Sequence, residues 1–185
     1  MKNFFLALPV GMFGLLATWS GCSDPNRIEL FVDTLSIEQR MALEEDTIDQ
    51  FIAEQEYDSV FITSSGVRIV PLTFVEGDPP NPGDILSVDY TGSFVYGAVF
   101  DTSHEDVAME AGIFIQGFPY HPLVMNLGST DIIIGWSDGL SYMKEGQKAL
   151  LVIPSRRAFG STARGSIAPN RILKFELTLV RIRRQ

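Results

Sequence analysis

The sequence predicts an α+β protein in which an antiparallel sheet packs on one short α-helix, preceded by a helical extension. Three observations support this class. From Val67 onwards most segments alternate apolar and polar residues, as half-buried strands do. Among them lies a single brief helical segment, "IIGWSDGLSYM", and a helical apolar pattern precedes them all. Strands grouped around one helix indicate α+β rather than a parallel α/β fold.

Residues 1–21, "MKNFFLALPVGMFGLLATWSG", resemble a signal peptide. Lys2 precedes an apolar run of fifteen residues from Phe4 to Thr18. That run is short for a membrane-spanning helix, which needs ~20 residues, and typical of a signal-peptide core. We therefore expect residues 1–21 to direct export.

Cys22 is the only cysteine, so an intramolecular disulfide is excluded by count. It follows Ser20 and Gly21 directly after the leader, which resembles the lipobox of bacterial lipoproteins, although Trp19 stands where leucine is preferred. This predicts lipid attachment at Cys22, a tether over 22–35, and a lipid-anchored protein of the bacterial cell envelope. The expected place is the outer membrane, on its periplasmic side or at the cell surface. A plain secretory leader with an incidental cysteine is the alternative.

The segment 36–65 is predicted to be an acidic helical extension. Ser36 and Gln39 form a capping-box pattern, and the phase of the apolar positions slips around Glu44. This indicates two short helices or one bent helix ending near Tyr57, with an apolar stripe that packs on the domain or on a second copy. The stripe comprises Ile37, Met41, Ile48, Phe51 and Ile52.

The net charge of −9 lies almost entirely in this part of the chain. From Asp24 to Asp58 there are eleven acidic residues and two arginines, and the rest of the chain is nearly neutral. No basic face interleaved with aromatic residues is present, so we expect no nucleic-acid partner.

The domain predicted over 66–185 contains six strand segments and one long insertion. The strands are expected in "GVRIVPLTFVEG", "DILSVDYTGSFV", "GAVFDTS", "LVMNLG", "KALLVIP" and "RILKFELTLVRI". The insertion 104–122, between the third and fourth of these, is expected to be a loop or to hold a small helix.

Motifs for covalent, metal or cofactor chemistry are missing from the sequence. The two histidines, His104 and His121, both lie in the insertion, and no Cys/His cluster could bind zinc. There is no nucleophile elbow, P-loop or dinucleotide glycine pattern. We therefore expect neither a metal site nor a cofactor, and an enzyme here would need chemistry without a nucleophile.

Five segments together resemble the FKBP-type peptidyl-prolyl cis-trans isomerases, over about residues 66–182. They are "VDYTGSF", "VFDTS", "LVMNLG", "IIIGWSDGLSYMKEGQKALLVIPSRRAFG" and "LKFELTLV". The leader, the acidic segment and the insertion are similar to FKBP lipoproteins of Bacteroidetes-like bacteria. The resemblance implies a strongly twisted antiparallel sheet wrapped around one short helix. It also implies no cofactor, proline-containing unfolded or partly folded polypeptides as partners, and macrolides as candidate ligands.

The resemblance also implies an apolar cup between helix and sheet. Trp136 would be its floor, packed from below and open above, and Asp101 would hydrogen-bond Tyr90 and face the twisting amide. The residues implied as catalytic are Tyr90, Phe100, Asp101, Trp136 and Phe159. Those implied as substrate-binding are Leu123, Met125, Ile132, Ile133, Ile167 and Phe175.

Three residues depart from the family pattern. Phe159 stands where many members carry a tyrosine, so one hydrogen-bond donor is missing. Leu123 replaces a usual phenylalanine at the rim, and Ala168 stands where proline is common in the loop over the cup.

Alternatives remain open for the insertion and for the whole protein. Ile113, Phe114, Ile115, Phe118 and Tyr120 could form a hydrophobic lip that recruits unfolded chains, or fold back as a small satellite core. The predicted function is a peptidyl-prolyl isomerase assisting the folding of exported or envelope proteins. The alternatives are a chaperone-like envelope lipoprotein with weak or no turnover, and a structural lipoprotein with a vestigial pocket.

Overall fold

The computed structural model describes residues 35–130 and 132–185, and Ile37–Gln185 form one compact unit. The predicted signal peptide, the lipid attachment at Cys22 and the tether up to residue 34 lie outside the described residues. Within the described part, no helix is long and apolar enough to span a bilayer.

The centre of the fold is a seven-stranded antiparallel sheet. Its strands are β1 (Phe61–Ile62), β2 (Arg68–Pro71), β3 (Ile85–Phe94), β4 (Val99–Thr102), β5 (Leu123–Asn126), β6 (Lys148–Ile153) and β7 (Leu173–Arg183). The strand order is β1-β2-β6-β7-β3-β4, and β5 also pairs with β3. The six predicted strands are present. The two-residue β1 was missed because it is too short to show a period of two, and it lies inside the segment expected to be a helical extension.

Alternate residues of the long strands face the core on the inner side of the sheet. On β7, Leu173, Phe175, Leu177 and Leu179 are buried and the residues between them are more exposed. On β6 every residue from Ala149 to Ile153 is buried, so this strand is covered on both faces of the sheet.

The helix α1 (Ile37–Glu54) covers the outer face of the sheet. It is one helix and not two short ones. It begins directly after Ser36, as the capping-box pattern predicts. It ends at Glu54, before the expected end near Tyr57. Ile48 and Phe51 of α1 belong to a buried cluster with Val70, Leu150 and Val152, so the apolar stripe packs on the domain itself. The first residues of the predicted stripe are not buried, since Ile37 and Met41 are 71% and 38% exposed.

The phase slip in α1 has a structural cause. Glu44 occupies a position on the buried face, where its carboxylate accepts hydrogen bonds from the backbone N–H and the hydroxyl of Ser155. Arg68 of β2 is also buried and forms ion pairs of 2.6 Å with both Glu45 and Asp49. The acidic residues that interrupt the apolar pattern are therefore contacts between α1 and the sheet region.

The short helix α3 (Ile134–Leu140) packs against the inner side of the sheet. A Cβ added at Gly139 would overlap the side chain of Leu151, and one at Gly135 would overlap Ile153. The two glycines therefore allow α3 to lie directly against β6. The remaining helix, α2 (Glu105–Glu110), is in the insertion, as one of the two expectations for that segment had it.

Candidate active site

The predicted cup residues come together on the inner side of the sheet, around α3. Trp136, Phe175, Met125 and Ile167 belong to the buried core cluster of this side. Partly buried hydrophobic residues pack against that cluster, and they include Tyr90, Phe100, Ile132, Ile133 and Phe159.

Trp136 lies at the bottom of this group. The rings of Tyr90 and Phe175 contact its indole edge-to-face, each with a centroid distance of 5.2 Å. Only 4% of the residue is exposed, so the expectation of an open upper face is wrong for this structure. The two aromatic neighbours and the surrounding core therefore cover most of the indole.

The indole N–H is a buried donor without an acceptor among the described residues. An unpaired donor of this kind is uncommon in a protein interior and carries a desolvation penalty.

The aromatic wall depends on a glycine. Phe100 and Phe175 meet edge-to-face at 5.6 Å, directly over Gly92 of β3. A Cβ at Gly92 would lie 2.6 Å from Phe175 and 2.8 Å from Phe100, so any larger residue would push the wall apart. Sequence reasoning quoted the motif "YTG" but did not identify this glycine as a residue that shapes the site.

The polar part of the site is the pair formed by Tyr90 and Asp101. The hydroxyl of Tyr90 donates a hydrogen bond of 3.0 Å to the Asp101 carboxylate, as the resemblance implied. Burial, and then the charge and hydrogen bond of Asp101, raise the pKa of Tyr90 above the usual range of a phenol. The phenol therefore remains a hydrogen-bond donor throughout the physiological pH range.

Backbone and hydroxyl contacts position this pair at the junction of β3 and β4. Ser103 donates its N–H to the carbonyl of Tyr90, and the Ser103 hydroxyl accepts the Tyr90 N–H, each at 2.9 Å. Thr102 adds a hydroxyl bond of 2.9 Å to the same carbonyl. The "DTS" that follows Phe100 therefore anchors the tyrosine as well as supplying the carboxylate.

The loop over the cup carries Phe159 and Ile167. Arg164 and Ile167 exchange two backbone hydrogen bonds of 2.9 Å, which close a small antiparallel bridge. The guanidinium of Arg164 lies 5.9 Å from the centre of the Phe159 ring, and Ile167 is buried. The loop is thus ordered by its own backbone contacts, although Ala168 replaces the usual proline.

Leu123 is the most exposed of the predicted apolar site residues. It is 37% exposed at the start of β5, opposite Val88. Met125, two residues later on the same side of the strand, is buried in the core.

A group of polar contacts around Asp138, two residues after Trp136 in α3, was also not predicted from the sequence. Asp138 of α3 accepts a 2.6 Å hydrogen bond from the Ser65 hydroxyl and lies 3.3 Å from the Arg157 guanidinium. Arg157 ends the turn Ser155–Arg157, which leads into Phe159. The spacing of these residues in the sequence carries no signal for such a contact.

Two surface grooves, each of about 370 Å³, lie away from the cup. One is lined by residues of β3, β5 and β7 that include Val124 and Arg181, and the other lies between α1 and the outer face of the sheet. No predicted site residue lines either groove. In the described ranges, no cluster of three or more His, Cys, Asp or Glu side chains could hold a metal ion.

The fold places an aromatic cluster, with Trp136 at its bottom, between the sheet and the short helix α3. Residues 76–180 match the family model described as FKBP-type peptidyl-prolyl cis-trans isomerase, which is more than half of the chain. The chain belongs to this family.

Curated relatives and solved structures agree with this assignment. The chain is 32% identical over 126 residues to a probable FKBP-type isomerase FkpA of Neisseria meningitidis, covering 68% of this chain and 41% of that protein. It is 39% identical over 105 residues to FK506-binding protein 2 of Candida glabrata, covering 56% of this chain and 68% of that one.

The crystal structure of a peptidyl-prolyl cis-trans isomerase from Pseudomonas syringae pv. tomato is also similar. Its TM-score is 0.60 at 28% identity, with 81% of this chain and 98% of that chain covered. The chain spans less than half the length of the Neisseria relative, so the similarity to that relative covers only part of it.

Proposed function

We propose that this chain is an active peptidyl-prolyl cis-trans isomerase that assists the folding of exported or envelope proteins. One observation carries the proposal. An aromatic cup with Trp136 at its floor adjoins a single hydrogen-bonded carboxylate, Asp101, in a chain of the isomerase family.

The reaction needs no covalent step. Rotation about a peptide C–N bond faces a barrier of about 18–20 kcal/mol because amide resonance must be broken. At an X-Pro bond the two isomers have similar energies, yet they interconvert only over tens to hundreds of seconds. In the twisted transition state the amide loses conjugation and is less charge-separated than the planar amide. A water-poor apolar cup therefore binds the twisted state better than the planar one, and this difference lowers the barrier.

Each group of site residues has a role that follows from its chemistry. The rings of Trp136, Phe100 and Phe175 provide rigid apolar surface for the proline. Ile132, Ile133 and Ile167 limit access of water. Asp101, oriented by Tyr90, is the one charge that faces the twisting amide. Phe159 contributes ring surface without a hydroxyl donor, which removes about 0.5–1.5 kcal/mol of binding relative to a tyrosine.

The cellular setting is proposed from the start of the sequence. The signal-peptide pattern of residues 1–21 and the lipobox-like position of Cys22 support export and lipid attachment at Cys22. The protein would then act in the bacterial cell envelope, anchored to the outer membrane. Its substrates would be unfolded or partly folded polypeptides containing proline. The FK506-binding relative supports a macrolide as a ligand of the same cup.

A short X-Pro peptide tests the proposed activity. The full chain should accelerate its cis-trans isomerisation, and an Asp101→Val variant, which removes the carboxylate at nearly constant size, should lose most of the gain. Lys148→Gln on the outer face is the matched control and should retain full activity. Circular dichroism would establish that each variant is folded.

Absence of acceleration by a folded parent protein would contradict the isomerase proposal. It would favour the second candidate, a chaperone-like binding protein with weak or no turnover. The specific observations behind that candidate are the 4% exposure of Trp136 and the missing hydroxyl at Phe159.

A further inference from the structure

The insertion between β4 and β5 presents an exposed aromatic surface. We define the insertion face as Phe114, Ile115, Phe118 and Tyr120. Phe114, Ile115 and Phe118 are 42%, 62% and 47% exposed. Exposed apolar residues that cluster in this way mark interaction sites more often than isolated ones do.

Internal contacts hold the insertion face in one arrangement. The ring of Tyr120 stacks on Phe114 at 5.8 Å and meets Phe118 edge-to-face at 5.0 Å. The Tyr120 hydroxyl accepts the N–H of Ile115 at 2.9 Å. Because rigid aromatic side chains lose little entropy on contact with a partner, a pre-formed aromatic cluster of this kind suits binding.

The base of the insertion is anchored to the domain. Ala108 of α2 is fully buried, and its carbonyl accepts the N–H of Ile113 at 2.9 Å. Of the five residues considered for a satellite core, Ile113 and Tyr120 are half-buried, whereas Phe114, Ile115 and Phe118 remain exposed.

The insertion joins two segments of the proposed cup along the sequence. The insertion follows directly after Asp101–Ser103 and ends directly before Leu123, at the rim. Tyr120 precedes Leu123 by three residues, so their Cα atoms are at most ~11 Å apart. An extended polypeptide covers that distance with about three to four residues.

The charges of the insertion limit the kind of partner. Residues 104–122 contain Glu105, Asp106 and Glu110 and no lysine or arginine, and all three carboxylates are on exposed residues of α2. An anionic membrane surface would be repelled, and basic residues of a polypeptide would be attracted.

We infer that the insertion face binds apolar residues flanking the proline of an extended polypeptide substrate, with basic residues nearby favoured by α2. This inference rests on the proposed isomerase function and specifies its substrates. It concerns long substrates, because residues several positions away from the proline are the ones that would extend over the insertion face.

Two long peptides test the inference. Both contain the same central X-Pro bond, and one adds Leu and Lys on both sides of it while the other adds Ser and Glu. For the parent full chain, kcat/KM should be about tenfold higher for the Leu/Lys peptide than for the Ser/Glu peptide. The Phe114→Ser/Phe118→Ser variant should reduce this ratio to near one.

Two further variants keep the test sharp. Ile115→Ser, whose side chain is outside the aromatic stack, should lower the ratio as well, and it would serve if the double variant failed to fold. Phe74→Ser replaces a phenylalanine that is 86% exposed elsewhere on the surface, and it should leave the ratio at the parent value.

The possible failures are distinguishable. No turnover of any peptide by the folded parent would overturn the isomerase function. Turnover with a ratio that is the same in parent and variants would overturn only the inference. Binding to phosphatidylglycerol vesicles, or self-association in sedimentation, that disappears with Phe114→Ser/Phe118→Ser would assign the face to a membrane or to a second copy instead.

Discussion

At the scale of single residues, the contact between Tyr90 and Asp101 is the most informative one in the site. It places a carboxylate beside an otherwise apolar cup and fixes its orientation through a phenol hydroxyl at 3.0 Å. The same contact makes Tyr90 a reporter of the site, because burial and Asp101 both raise its pKa.

The titration of Tyr90 gives the first prediction at this scale. Absorbance at 295 nm should show one phenol fewer ionising at high pH in Tyr90→Phe than in the parent. In Asp101→Asn the same phenol should ionise at a lower pH, although still above 10, because burial remains. If Asp101→Asn titrates like the parent, the contact with Asp101 does not exist in solution.

The stability consequence has a definite sign. The folded protein holds the Tyr90 proton more tightly than the unfolded chain, whose phenol ionises near pH 10. The stability contributed by this group is therefore intact below pH 10 and falls as the pH rises above it. Tyr90→Phe should show a smaller loss of stability over that window.

At the scale of elements, polar residues on the buried face of α1 connect this helix to the cup. Glu44 binds Ser155, which begins the turn leading to Phe159. Arg156 of the same turn lies 3.4 Å from the carboxylate of Glu45 in α1 and donates to the carbonyl of Ser65 at 3.0 Å. The Ser65 hydroxyl in turn donates to Asp138 of α3. The helix thus reaches both the wall and the floor of the cup through two polar connections.

A double-mutant cycle on Glu44→Gln and Ser155→Ala tests this connection. Denaturant unfolding should give a coupling energy of about 1–3 kcal/mol, typical of hydrogen bonds to a charged group. We also expect Glu44→Gln to lower kcat/KM, because the turn carries Phe159. Asp46→Asn, an exposed carboxylate on the same helix, should change stability by less than about 0.5 kcal/mol. Additive single-variant effects would show that the Ser155 hydroxyl does not interact with Glu44, since Ser155→Ala leaves the backbone N–H in place.

The elements also show where sequence reasoning succeeds and fails. The strands β3 and β7 and the helix α3 were predictable because alternation and the quoted motifs run through their whole length. The surface on which α1 packs was not predictable, because an apolar stripe indicates that one face of a helix is buried but does not identify the surface that buries it. Glu44 looked like an interruption of the pattern since its partner Ser155 lies 111 residues away.

At the scale of the whole molecule, the acidic helix and the isomerase domain form one compact unit. The sequence analysis treats residues 36–65 as an acidic helical extension that packs on the domain or on a second copy. The structure shows that three of its carboxylates, on Glu44, Glu45 and Asp49, contact the domain. Part of the uneven charge therefore serves the contact between this helix and the domain.

The resemblance predicted most of the apolar residues that pack together around α3, whereas it did not predict how fully Trp136 is covered. Side-chain identity implied Trp136 at the floor, and the structure adds that Tyr90 and Phe175 cover it. How fully Trp136 is covered depends on the orientations of the neighbouring rings. These orientations follow from packing against residues such as Gly92, and no sequence pattern predicts them.

The central claim is that proline isomerisation occurs in this cup, and one NMR measurement tests it directly. A 15N-labelled full chain carrying Trp19→Phe has a single indole N–H, that of Trp136, and can be titrated with an X-Pro tetrapeptide. We predict exchange cross-peaks between the cis and trans peptide that depend on the protein, together with a shift of the Trp136 indole signal. Exchange without any change at Trp136 would place the chemistry elsewhere, and no exchange at all would contradict the account.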